Sequence, residues 1–182
     1  MTERKSLTEK TADYIISFFI YSVVIWIFNA ISGWIVHPQG GFDGGLLYGP
    51  YATFPALIVM GIMLIFNLIK KYGKTKDINP TPVLLVIISI ALFMGAEYFG
   101  SVIYELVTGE MPWDYSWKIY NINGRICWEN SIFLTVFELV CVYVAQPFLM
   151  SRLEKFPISA RIITAMTMAV IILTDIICTF MK

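Results

Sequence analysis

The sequence predicts an all-α membrane protein, a bundle of about five transmembrane helices with its N-terminus in the cytoplasm and its C-terminus outside. Apolar residues make up 58% of the 182-residue chain and charged residues only 14%, where a soluble surface needs roughly 25% charged residues. Mean hydropathy is +0.72. Apolar runs recur at a length that crosses about 30 Å of hydrocarbon, and lysine and arginine collect in alternate intervals between them.

Residues 1–13 read as a cytoplasmic leader. MTERKSLTEK is polar and basic, and the run after it is too long for a signal-peptide core and lacks a small-residue cleavage site. The spans then fall near 14–36, 52–69, 82–108, 125–150 and 158–181, the second being the shortest. Runs this long without strict alternation are helices, the form that satisfies its own backbone in lipid. Pro82 and Ile158 open helices, where a missing or unpaired N–H costs little. Pro147 falls in the last turns of the fourth run and predicts a kink or an end there.

Orientation follows from the basic residues. Arg4, Lys5 and Lys10 precede the first span; Lys70, Lys71, Lys74 and Lys76 follow the second; Arg152, Lys155 and Arg161 surround the gap before the fifth. The other two loops are poor in base, with Lys118 and Arg125 alone in or beside the later one. The first outer loop places glycines at 41, 45 and 49, which suits a turn-rich loop or a short re-entrant helix. The second interleaves Trp113, Tyr115, Trp117 and Tyr120 with Asp114, Ser116, Asn121 and Asn123. With Trp34, Tyr48, Tyr51 and Trp128 these form an interfacial aromatic belt, or else a lid over a binding surface.

Cys127, Cys141 and Cys178 lie in or beside apolar runs without a CxxC pair, and read as small buried apolar residues rather than a disulfide framework. One histidine, His37, is too few for a bis-histidine haem or a zinc site, so neither metal nor cofactor is expected. A formal net charge of zero gives no field that would favour nucleic acid.

Chemistry points to ionisable groups inside the spans, each costing about 2.5 kcal/mol or more at a helix centre if it faced lipid. Glu97, Ser101, Tyr104, Glu105 and Thr108 share one face of the third span. Gly124, Trp128, Ser131, Thr135 and Glu138 line the fourth; Ser22, Trp26, Asn29 and Gly33 line the first. Thr164, Thr167, Thr174, Asp175 and Cys178 form a looser stripe on the fifth. Glu97 falls near mid-membrane, and Glu105 roughly 12 Å nearer the outer face by helix rise. Arg125 enters the fourth span from that side, so Glu105 and Arg125 meet either as a salt bridge fixing two helices or, with Asp114, as an outward-facing polar site. Glu97 and Glu138 both approach the midplane, as hydrogen-bonded acids or as a pair sharing a proton or cation.

Several enzyme classes drop out. Gly73-Lys74-Thr75 resembles the end of a phosphate-binding loop, but Leu68 stands where its first glycine belongs. GxSxG and HExxH are absent, and proline in Asn79-Pro80-Thr81 rules out glycosylation there. No ATPase or known hydrolase motif remains.

One group of motifs carries a resemblance. Gly45-Leu46-Leu47-Tyr48-Gly49-Pro50, Gly95-Ala96-Glu97-Tyr98-Phe99-Gly100 with Glu105, Trp113-Asp114-Tyr115-Ser116, and Asn121-Ile122-Asn123-Gly124-Arg125-Ile126-Cys127 occur in that order. Together they resemble the "putative ABC-transporter type IV", or CmpB-like, integral membrane family over roughly residues 45–131. The chain looks like a divergent member. Tyr51-Ala52-Thr53-Phe54-Pro55-Ala56 stands where the family runs into Pro-Ile-Tyr-Gly, and Ile132-Phe133-Leu134 follows Ser131 where it tends to show Trp-Gly. The resemblance implies transport at the cell membrane by a multi-pass protein that needs a separate ATPase subunit or ion coupling. Glu97, Tyr104, Glu105, Trp113, Asp114, Tyr115, Asn123, Arg125 and Glu138 are the expected pathway residues, with the Trp113–Ser116 segment gating the outer mouth. Two other classes stay open: an intramembrane enzyme acting on a lipid or isoprenoid-like substrate, with Glu97 or Glu105 as acid or base, and a non-catalytic assembly or sensory subunit. Besides the bilayer, a second copy of the chain is a candidate partner.

Overall fold

The computed structural model describes residues 6–36, 47–72 and 82–181. His37, the glycines at 41 and 45 and the Gly73-Lys74-Thr75 fragment lie outside the described residues.

Helix α1 (Leu7–Val36) is followed by α2 (Thr53–Tyr72) and α3 (Pro82–Thr108). A two-stranded antiparallel hairpin, β1 (Asn121–Ile122) and β2 (Ile126–Cys127), leads into α4 (Trp128–Val140). A π-helical turn, Cys141–Ala145, joins α4 to α5 (Gln146–Leu153), and α6 (Ile158–Phe180) ends the described chain. Four apolar stretches are long enough to cross a membrane: Leu7–Ile31, Val83–Thr108, Trp128–Leu153 and Ile158–Thr179. The apolar part of α2, Thr53–Leu68, is shorter. The protein is thus an all-α, multi-pass membrane fold.

Boundaries moved in three places. α1 begins at Leu7, not near residue 14, because the Ser6 hydroxyl accepts the Glu9 N–H at 3.2 Å and caps the first turn. α4 begins at Trp128, because the residues before it are taken up by the hairpin. The fourth rod continues past Pro147 to Leu153. Proline there has no N–H for the Tyr143 carbonyl, and the wider π turn just before it absorbs the mismatch.

The chain divides into two compact units, residues 1–57 with 146–182, and residues 58–145. In the first, α1 and α6 pack together and run in the same direction. Near their starts, Arg161 donates to both oxygens of Asp13 at 2.9 Å, and Ala12, Ile16 and Ala165 are buried around the pair. Farther along, beside the middle of α1, where the Ala52 N–H donates to the Ser22 carbonyl at 2.8 Å, the Tyr48 and Gly49 N–H groups reach Asp175 near the end of α6, at 3.2 and 2.8 Å.

The Tyr51 hydroxyl also donates to Asp175, and burial together with this carboxylate pushes it up from its ordinary range. A side chain at Gly49 would strike the Tyr51 ring, so the Tyr48-Gly49-Pro50-Tyr51 turn needs glycine there. Tyr51 is buried rather than part of an exposed belt.

The expected polar stripe on the last helix does not face the core. Thr164, Thr167, Thr174 and Cys178 are exposed, and the inward face is Arg161, Ala165 and Ile172, with half-buried Asp175 continuing it. Thr167 donates to the Ile163 carbonyl at 3.0 Å, so its hydroxyl is satisfied within its own helix and can face lipid. Likewise Asn29 is exposed, while Ser22 and Ile25 supply the buried face of α1.

In the second unit, α3 and α4 pack antiparallel. Leu85, Ser89, Phe93, Glu97 and Ser101, four residues apart, form the buried seam of α3. Ser131, Leu134, Thr135, Glu138 and Cys141 form that of α4 and the π turn. Small residues on both sides let the backbones approach closely. The opposite faces, such as Phe99, Ile103, Ile132 and Val136, stay exposed and apolar, as a lipid-facing surface requires.

Candidate functional site

The site is built by the segment between α3 and α4. α3 stops at Gly109, whose φ of +80° admits the left-handed turn that brings its N–H to the Glu105 carbonyl at 2.8 Å. The chain later reverses at Ile122-Asn123-Gly124-Arg125. Asn123 and Gly124 have φ of +53° and +69°, and the Arg125 N–H closes the turn on the Ile122 carbonyl at 2.9 Å. Positive φ at both central residues is the mark of the Asn-Gly hairpin turn, whose twist matches that of paired strands.

Trp113-Asp114-Tyr115-Ser116 lies directly on this hairpin. The Tyr115 N–H donates to the Gly124 carbonyl at 2.7 Å, and the Trp113 indole N–H to the Arg125 carbonyl at 2.9 Å. Asp114 accepts the Ser116 N–H at 2.8 Å, and hydrogen bonding by Ser116 holds its carboxyl below the usual range. A Cβ on Gly124 would sit 2.6 Å from the Ser116 hydroxyl and 2.7 Å from the Asp114 carboxylate. Gly124 is therefore required twice, by its backbone angle and by the segment seated on it. The Asn121 side chain ties the base of the turn, accepting from the Gly124 N–H at 2.9 Å and donating to the Lys118 carbonyl at 2.6 Å. The separated WDYS and NxNGRIC motifs are two halves of one cap.

The cap sends two groups toward the α3–α4 seam. Arg125 donates to the Ser101 hydroxyl at 2.9 Å and pairs with Glu105. The Tyr115 hydroxyl lies 3.3 Å from the Asn130 amide, which donates to Glu97 at 2.7 Å. Burial, then the nearby Glu97 and Cys127, push the Tyr115 hydroxyl above its ordinary range. Glu97 is 5% exposed, and its second carboxylate oxygen has no hydrogen-bond partner among the described residues. At the rim, Asn123 reaches the Tyr98 hydroxyl at 3.3 Å.

The predicted residues thus fall into separate contacts: Glu97 with Asn130 and, through it, Tyr115; Arg125 with Ser101 and Glu105; Asn123 with Tyr98. Asp114 bonds Ser116 within the cap and does not join them, and the Trp113 indole holds the cap to the Arg125 backbone. Tyr104 shares the helix, but among the described residues only its backbone carbonyl has a side-chain partner, the Thr108 hydroxyl at 2.8 Å. Glu138 lies deeper, beside Ser89, which is eight residues and about 12 Å of helix rise from Glu97. The two carboxyls are not hydrogen-bonded to each other, so they do not form the shared-proton pair. Asn130, the residue that holds Glu97, was not anticipated. Its signal was a lone amide in the first turn of α4, beside the more conspicuous Glu129. The outer face of the cap is aromatic and exposed, through Trp117, Tyr120 and Trp128, with the Lys118 ammonium 4.6 Å over the Trp117 ring.

Chemically, the arrangement offers a buried carboxyl with one open oxygen beside the Asn130 amide, and a separate Arg125–Glu105 ion pair that also holds Ser101, one turn along α3 from Glu97. A family model described as "Putative ABC-transporter type IV" matches residues 16–180. Searches of curated proteins and of solved structures gave no match.

Proposed function

We propose, from the premise that this chain belongs to the "Putative ABC-transporter type IV" family, that it is the membrane-embedded component of a transport system working with a separate ATPase subunit. It is a multi-pass membrane protein, as its apolar helices and its family both indicate. The lysine and arginine pattern supports a cytoplasmic N-terminus, with the cap on the extracytoplasmic side. On this reading Trp113–Ser116 covers the mouth of the pathway, Arg125 with Glu105 forms its first polar station, and Glu97 with Asn130 its second.

The observation that carries the reading is Glu97: a carboxyl buried inside an apolar span, held on one oxygen and open on the other. A purely structural acid in lipid is expected to have both oxygens satisfied, because an unpaired charge or polar atom there is costly. Leaving one open beneath a cap suits a ligand that comes and goes.

The test is purification from mild detergent out of the native membrane. An ATPase subunit co-purifying with the chain, and transport in reconstituted vesicles lost in Glu97→Gln but not its insertion, is the expected result. Chemical conversion of a lipid extract by the chain without any partner would overturn the reading in favour of an intramembrane enzyme.

A further inference from the structure

Helix α4 carries a second carboxyl that the outer site does not use. Glu138 is fully buried, and neither carboxylate oxygen has a hydrogen bond among the described residues. Ser89 on α3 is within reach. Its hydroxyl has one proton, however, and gives it to the Leu85 carbonyl at 2.7 Å. Ser89 therefore offers Glu138 a lone pair. A carboxylate is repelled by a lone pair, whereas a carboxylic acid donates to it. Among the described residues no lysine or arginine pairs with Glu138. The titratable neighbour is the Cys141 thiol, and Glu97 is bound to Asn130 farther along the seam. One carboxyl and one hydroxyl are too few ligands for a hard metal cation.

The backbone around this acid is also irregular. The Cys141 N–H is shared between the Phe137 and Glu138 carbonyls, and the π turn Cys141–Ala145 follows at once. Such single turns inside α-helices recur at functional sites because they loosen the ladder locally. The buried acid and the loosened turn are adjacent on one helix.

We propose that Glu138 and Ser89 form a proton-binding site in the membrane interior, with the bound proton donated to the Ser89 oxygen and exchanged through the turn at Cys141–Ala145. The ligand is the proton itself. The proposal stands apart from Glu97 and does not rest on the transport reading.

Infrared difference spectroscopy on the purified full chain, at neutral pH in water and in heavy water, tests it. The expected result is a protonated-carboxyl carbonyl band that shifts in heavy water and is lost in Glu138→Gln. Ser89→Ala, which removes the acceptor, shifts the same band to higher wavenumber. A second measurement covers the case in which Glu138→Gln does not fold. An apolar carbodiimide labels the wild-type protein by taking the acid proton onto its nitrogen and the carboxylate oxygen onto its central carbon. Peptide mass spectrometry is expected to find the whole-reagent adduct on Glu138, with a water-soluble carbodiimide leaving it unlabelled. A band unaffected by both substitutions, a band that fails to shift in heavy water, or a Glu138 peptide inert to the apolar reagent would each overturn the proposal.

Discussion

Replacing Gly124 with alanine will loosen the cap without touching Glu97, Asn130 or the Arg125–Glu105 pair. An alanine held at a φ of +69° is strained by about 1–2 kcal/mol relative to glycine. Its methyl group would sit 2.6 Å from the Ser116 hydroxyl, and moving that side chain aside adds roughly 1 kcal/mol of overpacking cost. The total is about 2–3 kcal/mol of local destabilisation, with one pKa-unit equivalent per 1.36 kcal/mol giving roughly a 30- to 150-fold effect. The reporter is the Tyr115 amide, whose N–H donates to the Gly124 carbonyl at 2.7 Å. Its hydrogen exchange in detergent will accelerate by that factor in Gly124→Ala. Asn123→Gly is the control: a glycine at φ +53° relieves strain while the 3.3 Å bond to Tyr98 is lost, so Tyr115 exchange changes far less than in Gly124→Ala. Tyr115 exchange in Gly124→Ala within about threefold of wild type would refute the account of the cap.

Three further outcomes follow from the same geometry. Asp13→Leu or Arg161→Met alone strands a buried charge and costs about 3–5 kcal/mol, while the double variant recovers most of it; unfolding of the purified variants by denaturing detergent measures the cycle. Tyr51→Phe removes the hydroxyl that donates to Asp175 and costs about 1–3 kcal/mol, seen as faster proteolysis between α1 and α2. Hydrogen bonding by Ser116 lowers the Asp114 pKa, so that bond strengthens the cap fully above the ordinary aspartate range and is lost as pH falls through the lowered value. Cap exchange will therefore show an extra acceleration in acid, below about pH 4, which Asp114→Asn abolishes.

Much of this was legible in the sequence, and what was missed has physical causes. The apolar runs and their basic flanks gave the rods, because lipid leaves few other options. The four-residue step from Glu97 to Ser101 to Glu105 gave the polar face of α3, and Arg125 had one acidic neighbour at its depth. The hairpin was overlooked despite its Asn123-Gly124 turn signal, because reading for spans gives two-residue strands no weight. The Ser6-to-Glu9 spacing marked the true start of α1, yet the polar leader drew the boundary to residue 14. Asp13 falls at the end of the leader and Arg161 among the basic residues flanking the last span, so neither stands out in sequence. Their pairing joins residues 148 positions apart, which no local pattern reports. The threonines of α6 misled because a threonine that bonds its own helix needs no polar neighbour.

A charge exchange at Glu105 and Arg125 asks most directly whether the cap and α3 meet where the site requires. Arg125→Glu and Glu105→Arg, each alone, are predicted to lower thermal stability in detergent and expose residues 109–127 to protease, and the combined exchange to restore both. If the single changes leave the cap resistant, or the double variant is no better than the worse single one, the convergence on which the functional reading depends does not exist.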